Sequence, residues 1–365
     1  MTKKIAYIIT RSEIGGAQNH LISLLSHFSN SFELVLIVGS NGYLVDKVND
    51  LEIKPRVYIV ESIDSFNFFR STLKIIEVIK KEQPDLIHVH STLASISSRF
   101  AAFFTNKNLI YTVHGWHFAN KGLFRKSIQI SFEYLSKFLT DYWITVSQYD
   151  LDSGNRFKLF KKEHVSLIRN GIADVPQKYV AKHEIKNEGG TFNLVFVGRM
   201  SHQKNFLAPL EVLARSNKNV RLTMYLAGED TIEIESKIKS LSLHDQCKVI
   251  LNDSNPSEGL ADYDAMIITS RFEGMPLSVI EGLRAGLPII STNVCGMNEL
   301  VKGSNGFLIP FDDINCMRES IEILSQTEGM RQTMGHSSRL IYEEHFMESQ
   351  MLKAVGKVYE QMLAP

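Results

Sequence analysis

Cysteine is scarce: Cys247, Cys295 and Cys316 are the only three in 365 residues, an odd number without close spacing. That argues against a disulfide framework and a cysteine-based zinc site, and it fits a reducing compartment. Net charge is missing too. Forty Lys and Arg stand against forty Asp and Glu, so nothing global points to a nucleic-acid partner. No stretch approaches the roughly 20 consecutive apolar residues of a membrane span. The opening Met1-Thr2-Lys3-Lys4 leads into a short strand-like run ending in polar Thr10-Arg11-Ser12-Glu13, without the apolar centre of a signal peptide. A cytoplasmic protein is expected, soluble or peripheral at the inner face of the membrane. Short-period repeats and low-complexity tracts are absent. The first glycine turn is not Gly-x-Gly-x-x-Gly, which speaks against a nicotinamide cofactor.

What is present is a two-domain amount of chain, with 44% hydrophobic residues, enough for two cores. Apolar, β-branched runs at Ile5–Thr10, Phe32–Val38, Arg56–Val60, Leu86–His90, Leu109–His114 and Tyr142–Ser147 alternate with longer amphipathic stretches. The alternation predicts an α/β fold, a parallel sheet covered by helices on both faces. It resumes at Phe192–Val197, Leu222–Ala227, Val249–Leu251, Ala265–Thr269, Pro288–Ser291 and Phe307–Ile309. The expected organisation is a Rossmann-like domain over 1–172, a polar linker over 173–191, a second Rossmann-like domain over 192–346 and an amphipathic helix in 347–365. Two doubly wound sheets in tandem put a central cleft between their strand ends, where such sheets bind ligands.

The stretch Ser270-Arg271-Phe272-Glu273-Gly274-Met275-Pro276-Leu277-Ser278-Val279-Ile280-Glu281 runs from a strand into a helix. Pro276 suits the first helical position, leaving the amides of Leu277, Ser278 and Val279 pointing forward. Free amides and the positive end of the helix dipole favour a phosphate. Glu273 and Glu281 would repel that phosphate, so they make better acceptors for the hydroxyls of a sugar and a ribose. The ligand inferred is a sugar joined through phosphate to a nucleoside. Upstream, Gly198-Arg199-Met200-Ser201-His202-Gln203-Lys204 releases two cations five positions apart from a strand end, which suits a diphosphate. Gly15-Gly16 opens a helix after the first strand, and its backbone can approach a diphosphate or an acceptor closely. Histidines end two further strands: His88 and His90, then His114 with His117. A metal is conceivable there, but neither motif carries an acidic ligand, and satisfied core histidines are the commoner case.

The spacing Glu273-x7-Glu281, with Gly286-Leu287-Pro288 and Gly296-Met297-Asn298-Glu299-Leu300, resembles the signature of family 4 retaining glycosyltransferases. Gly15-Gly16-Ala17, Thr112-Val113-His114-Gly115, Asn170-Gly171, Gly198-Arg199-x4-Lys204 and Gly228-Glu229 are similar to further segments of that family. The resemblance implies the GT-B fold, with a first, acceptor-binding domain, a second, donor-binding domain and a last helix crossing back to the first. It implies transfer of a hexose or N-acetylhexosamine from a nucleotide sugar, UDP-linked in preference to GDP-linked. The acceptor implied is a glycan or polyprenyl-linked glycan of a bacterial surface polysaccharide. Implied catalytic residues are Glu273, His114, Arg199 and Lys204. Implied donor contacts are Gly15, Gly16, Gly198, Arg199, Lys204, Glu273, Gly274, Met275, Pro276, Leu277, Ser278 and Glu281. Arg199 and Lys204 would neutralise the leaving diphosphate, so no metal and no cofactor are expected. Gly228-Glu229 and Asn252-Asp253 would line the nucleotide pocket.

Two basic aromatic clusters, Lys121–Lys137 and Arg156–Lys162, suit a solvated helix face or peripheral contact with an anionic membrane. An epimerase or phosphorylase of the same fold, or a non-catalytic sugar-nucleotide-binding protein, remain alternatives.

Overall fold

A computed structural model describes residues 2–63, 67–116, 123–161, 163–181, 190–229, 231–253 and 256–364, without the side chains of Leu123 and Arg125. The chain divides into two compact units, Met1–Asn170 with Glu348–Pro365, and Gly171–Met347.

The first unit holds seven strands: β1 (Lys4–Ile9), β2 (Glu33–Val38), β3 (Arg56–Ile59), β4 (Leu86–His90), β5 (Asn108–Val113), β6 (Tyr142–Thr145) and β7 (Val165–Leu167). All pair in parallel, in the order β3-β2-β1-β4-β5-β6-β7. Ile5 to Ile9, Leu86 to His90 and Leu109 to Val113 are buried throughout, as expected of strands covered on both faces. On one face Tyr7, Ile9, Leu24 and Leu36 pack with Met351, Val355 and Tyr359 of the last helix, Glu348–Leu363. On the other, Ile8, Val89 and Tyr111 pack with Ile75, Ala101 and Trp143. There the fully buried Arg99 lies over the rings of Tyr111 and Trp143 and pairs with Glu133 at 2.8 Å, fastening the Leu123–Ser136 helix.

The second unit holds β8 (Phe192–Arg199), β9 (Val220–Ala227), β10 (Cys247–Leu251), β11 (Ala265–Ile268), β12 (Ile289–Thr292) and β13 (Gly306–Ile309). The order is β10-β9-β8-β11-β12-β13, again wholly parallel. Where the sequence suggests a linker, the described residues are tied into this unit. Arg284 donates to the carbonyl of Ala173, the Ala181 amide donates to that of Ala285, and Arg339 grips Asp174 with two nitrogens at 2.8 Å. Residues 182–189 lie outside the described residues.

Strand order reverses between β1 and β4 in one sheet and between β8 and β11 in the other. At such a reversal the connections leave in opposite directions and open a crevice beyond the strand ends.

Candidate active site

At the β8/β11 reversal, two loops are stitched side by side. The hydroxyl of Thr269 donates to the carbonyls of Lys204 and Asn205, the amide of Arg271 donates to that of Gln203 at 2.8 Å, and the Arg271 guanidinium reaches Asn205 Oδ1. These bonds fix Lys204 opposite Glu273, and their Nζ and Oε1 meet at 2.7 Å. Ser270 Oγ donates to the same carboxylate oxygen at 2.6 Å. Both members of the pair are largely buried, so each depends on the other for charge compensation. Gly198 serves the same arrangement: a Cβ there would sit 3.4 Å from Lys204 Cγ and 3.3 Å from the Phe196 ring. Arg199, the last residue of β8, is exposed, and no partner for its guanidinium exists among the described residues.

The helix after β11 spans Leu277–Arg284. Pro276 caps it with extended backbone, so the helix begins one position later than the sequence suggests, and the Pro276 carbonyl accepts from both Val279 and Ile280. The Val279 amide is therefore engaged. Those of Leu277 and Ser278 have no partner among the described residues. Gly274, Met275 and Leu277 are buried, and Ser278 is half-buried. Glu281 lies one turn along. Desolvation pushes its carboxyl up to about 7, against the opposing charges of Arg284 and Lys204. Lys204 thus senses both glutamates. Nearby, Gly228 and Asn252 exchange a reciprocal pair of hydrogen bonds at 3.0 and 3.1 Å, joining the ends of β9 and β10.

At the β1/β4 reversal of the first unit the chemistry is different. Gly15 caps the Gly16–Phe28 helix, whose His20 lies beside His90 at the end of β4 and His114 just past β5. His90 Nδ1 and His114 Nε2 are 3.1 Å apart. One nitrogen from each of the three rings falls within 4.8 Å of the others. Burial holds His90 and His114 well below the ordinary imidazole range and lowers His20 to about 4, so the three rings are neutral. Both nitrogens of His20 and Nε2 of His90 are buried without a hydrogen-bond partner. The Asn170 side chain approaches His20 and raises its pKa slightly, without meeting hydrogen-bond geometry. His88 is different, its ring held at 2.6 Å by Tyr359 Oη and at 2.7 Å by Thr112 Oγ1. It is a satisfied core histidine. His117 lies outside the described residues.

The site residues expected from sequence therefore fall into two groups. Gly198, Arg199, Lys204, Glu273 to Ser278 and Glu281 line one strand edge of the second unit. Gly15, Gly16 and His114 line the corresponding edge of the first. Sequence reasoning missed Ser270 and Gln203, which bond to Glu273 and the preceding backbone. It also missed His20, whose only local signal is its place one turn into the helix that Gly15-Gly16 opens. An Asp-x-Asp triplet is not expected anywhere in the chain from the sequence reading, yet two are present, Asp150–Asp152 and Asp262–Asp264. Asp150 accepts from the amide of Trp116 and the hydroxyl of Ser147, and Asp264 accepts from the amide of Asn193, so in each a carboxylate serves the backbone.

Residues 14–174 match the model of Glycosyltransferase Family 4, and residues 179–340 that of Glycosyl transferases group 1. The chain is 25% identical over 347 residues to the O-antigen biosynthesis glycosyltransferase WbnH of Escherichia coli, covering 94% of this chain and 97% of that one. It is 26% identical over 334 residues to the UDP-Gal:alpha-D-GlcNAc-diphosphoundecaprenol alpha-1,3-galactosyltransferase of Escherichia coli, covering 86% and 85%. Its fold matches the crystal structure of Anabaena Alr3699/HepE in complex with UDP and glucose with a TM-score of 0.84, at 16% identity, over 98% of this chain and 100% of that one.

Proposed function

The chain belongs to the family 4 glycosyltransferases, of GT-B fold, and we propose that it moves a hexose or N-acetylhexosamine from a UDP-sugar to a polyprenyl-linked glycan. The anomeric configuration is retained, and the product enters a bacterial surface polysaccharide, O-antigen or capsule. The observation that carries this reading is the second unit's strand edge. There Arg199, Lys204 and the open amides of Leu277 and Ser278 supply positive potential beside two carboxylates that can accept from hydroxyls. The names of the E. coli relatives support the polysaccharide destination, and one of them specifies a UDP-linked donor and a diphosphoundecaprenol acceptor.

In this reading the diphosphate lies against Arg199, Lys204 and the helix amides. As the sugar's anomeric carbon parts from the diphosphate oxygen, it gains oxocarbenium character. The acceptor hydroxyl bonds to that carbon from the same face and gives its proton to the departing diphosphate. Charge develops on the leaving group, where the two cations meet it without a divalent ion. Glu273 turns from Lys204 to a sugar hydroxyl, and Glu281 holds the ribose. His114 hydrogen-bonds the transferred sugar, and Gly15-Gly16 admits the donor close to the backbone.

Peripheral contact with anionic lipid would bring the enzyme to a polyprenyl-linked acceptor. No helix among the described residues is long and apolar enough to cross a membrane. Support comes from the first unit, where Phe124 and Leu135 are 80% and 72% exposed on the Leu123–Ser136 helix. Lys137 lies over the rings of Tyr134 and Phe138, Lys161 over Phe138, and Lys126 over Phe157. Lys121 and Lys162 lie outside the described residues.

Incubation with a panel of UDP-sugars, with and without a polyprenyl-diphosphate-linked acceptor, tests the reading. Acceptor-dependent release of UDP with an α-linked product is expected from an α-linked donor. Epimerised donor in the absence of acceptor, or binding without turnover, would overturn it.

A further inference from the structure

Two members of the first unit's three-histidine cluster, His20 and His90, have no part in the sugar-transfer reading. His20 comes from a helix, His90 from the end of β4 and His114 from the turn after β5, so three separate elements aim their rings at one point. His20 and His90 are buried, whereas His114 is half-exposed and leaves a way in. His90 Nε2 is buried without a hydrogen-bond partner, and neither His20 nitrogen meets hydrogen-bond geometry, although the Asn170 side chain approaches that ring. Each neutral ring carries one lone-pair nitrogen and one N–H, so the cluster can offer a guest three lone pairs, one from each ring, once the proton between His90 and His114 moves to an outer nitrogen. No carboxylate belongs to the group. An imidazole-only set selects late first-row cations over magnesium or calcium.

Spacing agrees with that choice. Zinc held at about 2.0–2.1 Å by each nitrogen sets neighbouring nitrogens about 3.4 Å apart in a tetrahedron. The His90 Nδ1–His114 Nε2 separation of 3.1 Å, a hydrogen bond between the rings, is close to this, and one nitrogen from each of the three rings lies within 4.8 Å of the others. Three protein ligands leave a fourth position open to water.

We propose that His20, His90 and His114 form a zinc-class metal site that inhibits the enzyme when filled. The cation would take the His114 ring that otherwise faces the transferred sugar. The binding itself is independent of the glycosyltransferase reading. The inhibitory consequence rests on that reading's assignment of His114.

The test begins with protein stripped by a chelator and then titrated with Zn2+ against a chromophoric competitor. One equivalent bound at micromolar or tighter affinity is expected, with imidazole ligation in zinc X-ray absorption and a four-coordinate visible spectrum on Co2+ substitution. His20→Gln and His90→Gln should each weaken binding at least tenfold, while amide hydrogen exchange along the first unit's strands stays at the wild-type level and shows that unit folded. Absence of stoichiometric binding to the wild type overturns the site, as does unchanged zinc affinity in both variants. Transfer assayed with and without zinc reads the second claim: at least tenfold inhibition is expected in the wild type and its loss in His20→Gln. Tight binding with undiminished transfer would leave the metal site standing and overturn the placing of the sugar against His114.

Discussion

Two sheets of the same doubly wound design reverse their strand order at corresponding places, yet the reversals carry opposite chemistry. Beyond β8 and β11 stand a buried lysine–glutamate pair, an exposed arginine and a second glutamate. Beyond β1 and β4 stand three neutral histidines with a glycine turn. Each edge is thereby suited to a different guest. Fixed charges in a desolvated setting stabilise a diphosphate as it departs, whereas uncharged imidazoles make directed hydrogen bonds or metal bonds without attracting an anion. The architecture supplies two crevices, and the side chains at the strand ends decide their use.

The largest way to break this contrast is Glu273→Ala. Transfer should fall about 100- to 1,000-fold. The orphaned Lys204 should also destabilise the second unit by about 3–5 kcal/mol. Steady-state transfer and thermal unfolding check both effects. Near-normal turnover would remove Glu273 from the mechanism. Ser270→Ala is a milder version of the same cut. It deletes the 2.6 Å bond to Glu273 and should lower kcat about tenfold or more, with UDP affinity kept.

Glu281 sharpens the contrast through pH. Its carboxyl is raised from 4.5 to about 7. Between those values the folded protein holds a proton that the unfolded chain releases, so stability is greatest below the lower value and falls as pH rises to about 7. The total is at most about 3 kcal/mol, and less because the group is half-exposed. Ionised Glu281 is the better acceptor for ribose hydroxyls, so UDP affinity should rise about tenfold from pH 6 to pH 8. Calorimetry across that range, repeated on Glu281→Gln, should find the slope gone in the variant. A slope persisting in Glu281→Gln would assign the titration to another group.

The smallest effect belongs to the first unit. Tyr359→Phe removes the hydroxyl shared by His88 and Tyr7 and should cost about 1 kcal/mol of stability, read by denaturant unfolding. UDP affinity should not change, since nothing in the second unit depends on that hydroxyl.

Much of this was legible in the sequence because buried parallel strands are written as short β-branched runs, and each run from Ile5 to Phe307 lies on a strand. Edge strand β7 was not legible: three half-buried residues, Val165–Leu167, carry too short a pattern. The helix after β11 begins one residue later than proline chemistry suggests, because the Pro276 carbonyl itself starts the ladder. At the second reversal, motif residues adjacent in sequence made the site readable. At the first, His20, His90 and His114 come from three distant segments. Only the fold brings their rings together. The contact of Lys204 with Glu273 was hidden for the same reason, since the bonds of Thr269 and Arg271 that align the two loops leave no local pattern.

Everything proposed for transfer depends on the diphosphate of a UDP-sugar lying against the second unit's strand edge. Calorimetric titration of UDP into the wild type and into an Arg199→Ala, Lys204→Ala double variant tests it most directly. A single site is expected in the wild type, with a loss of affinity of at least 100-fold in the double variant. Equal affinity in the two proteins would contradict it.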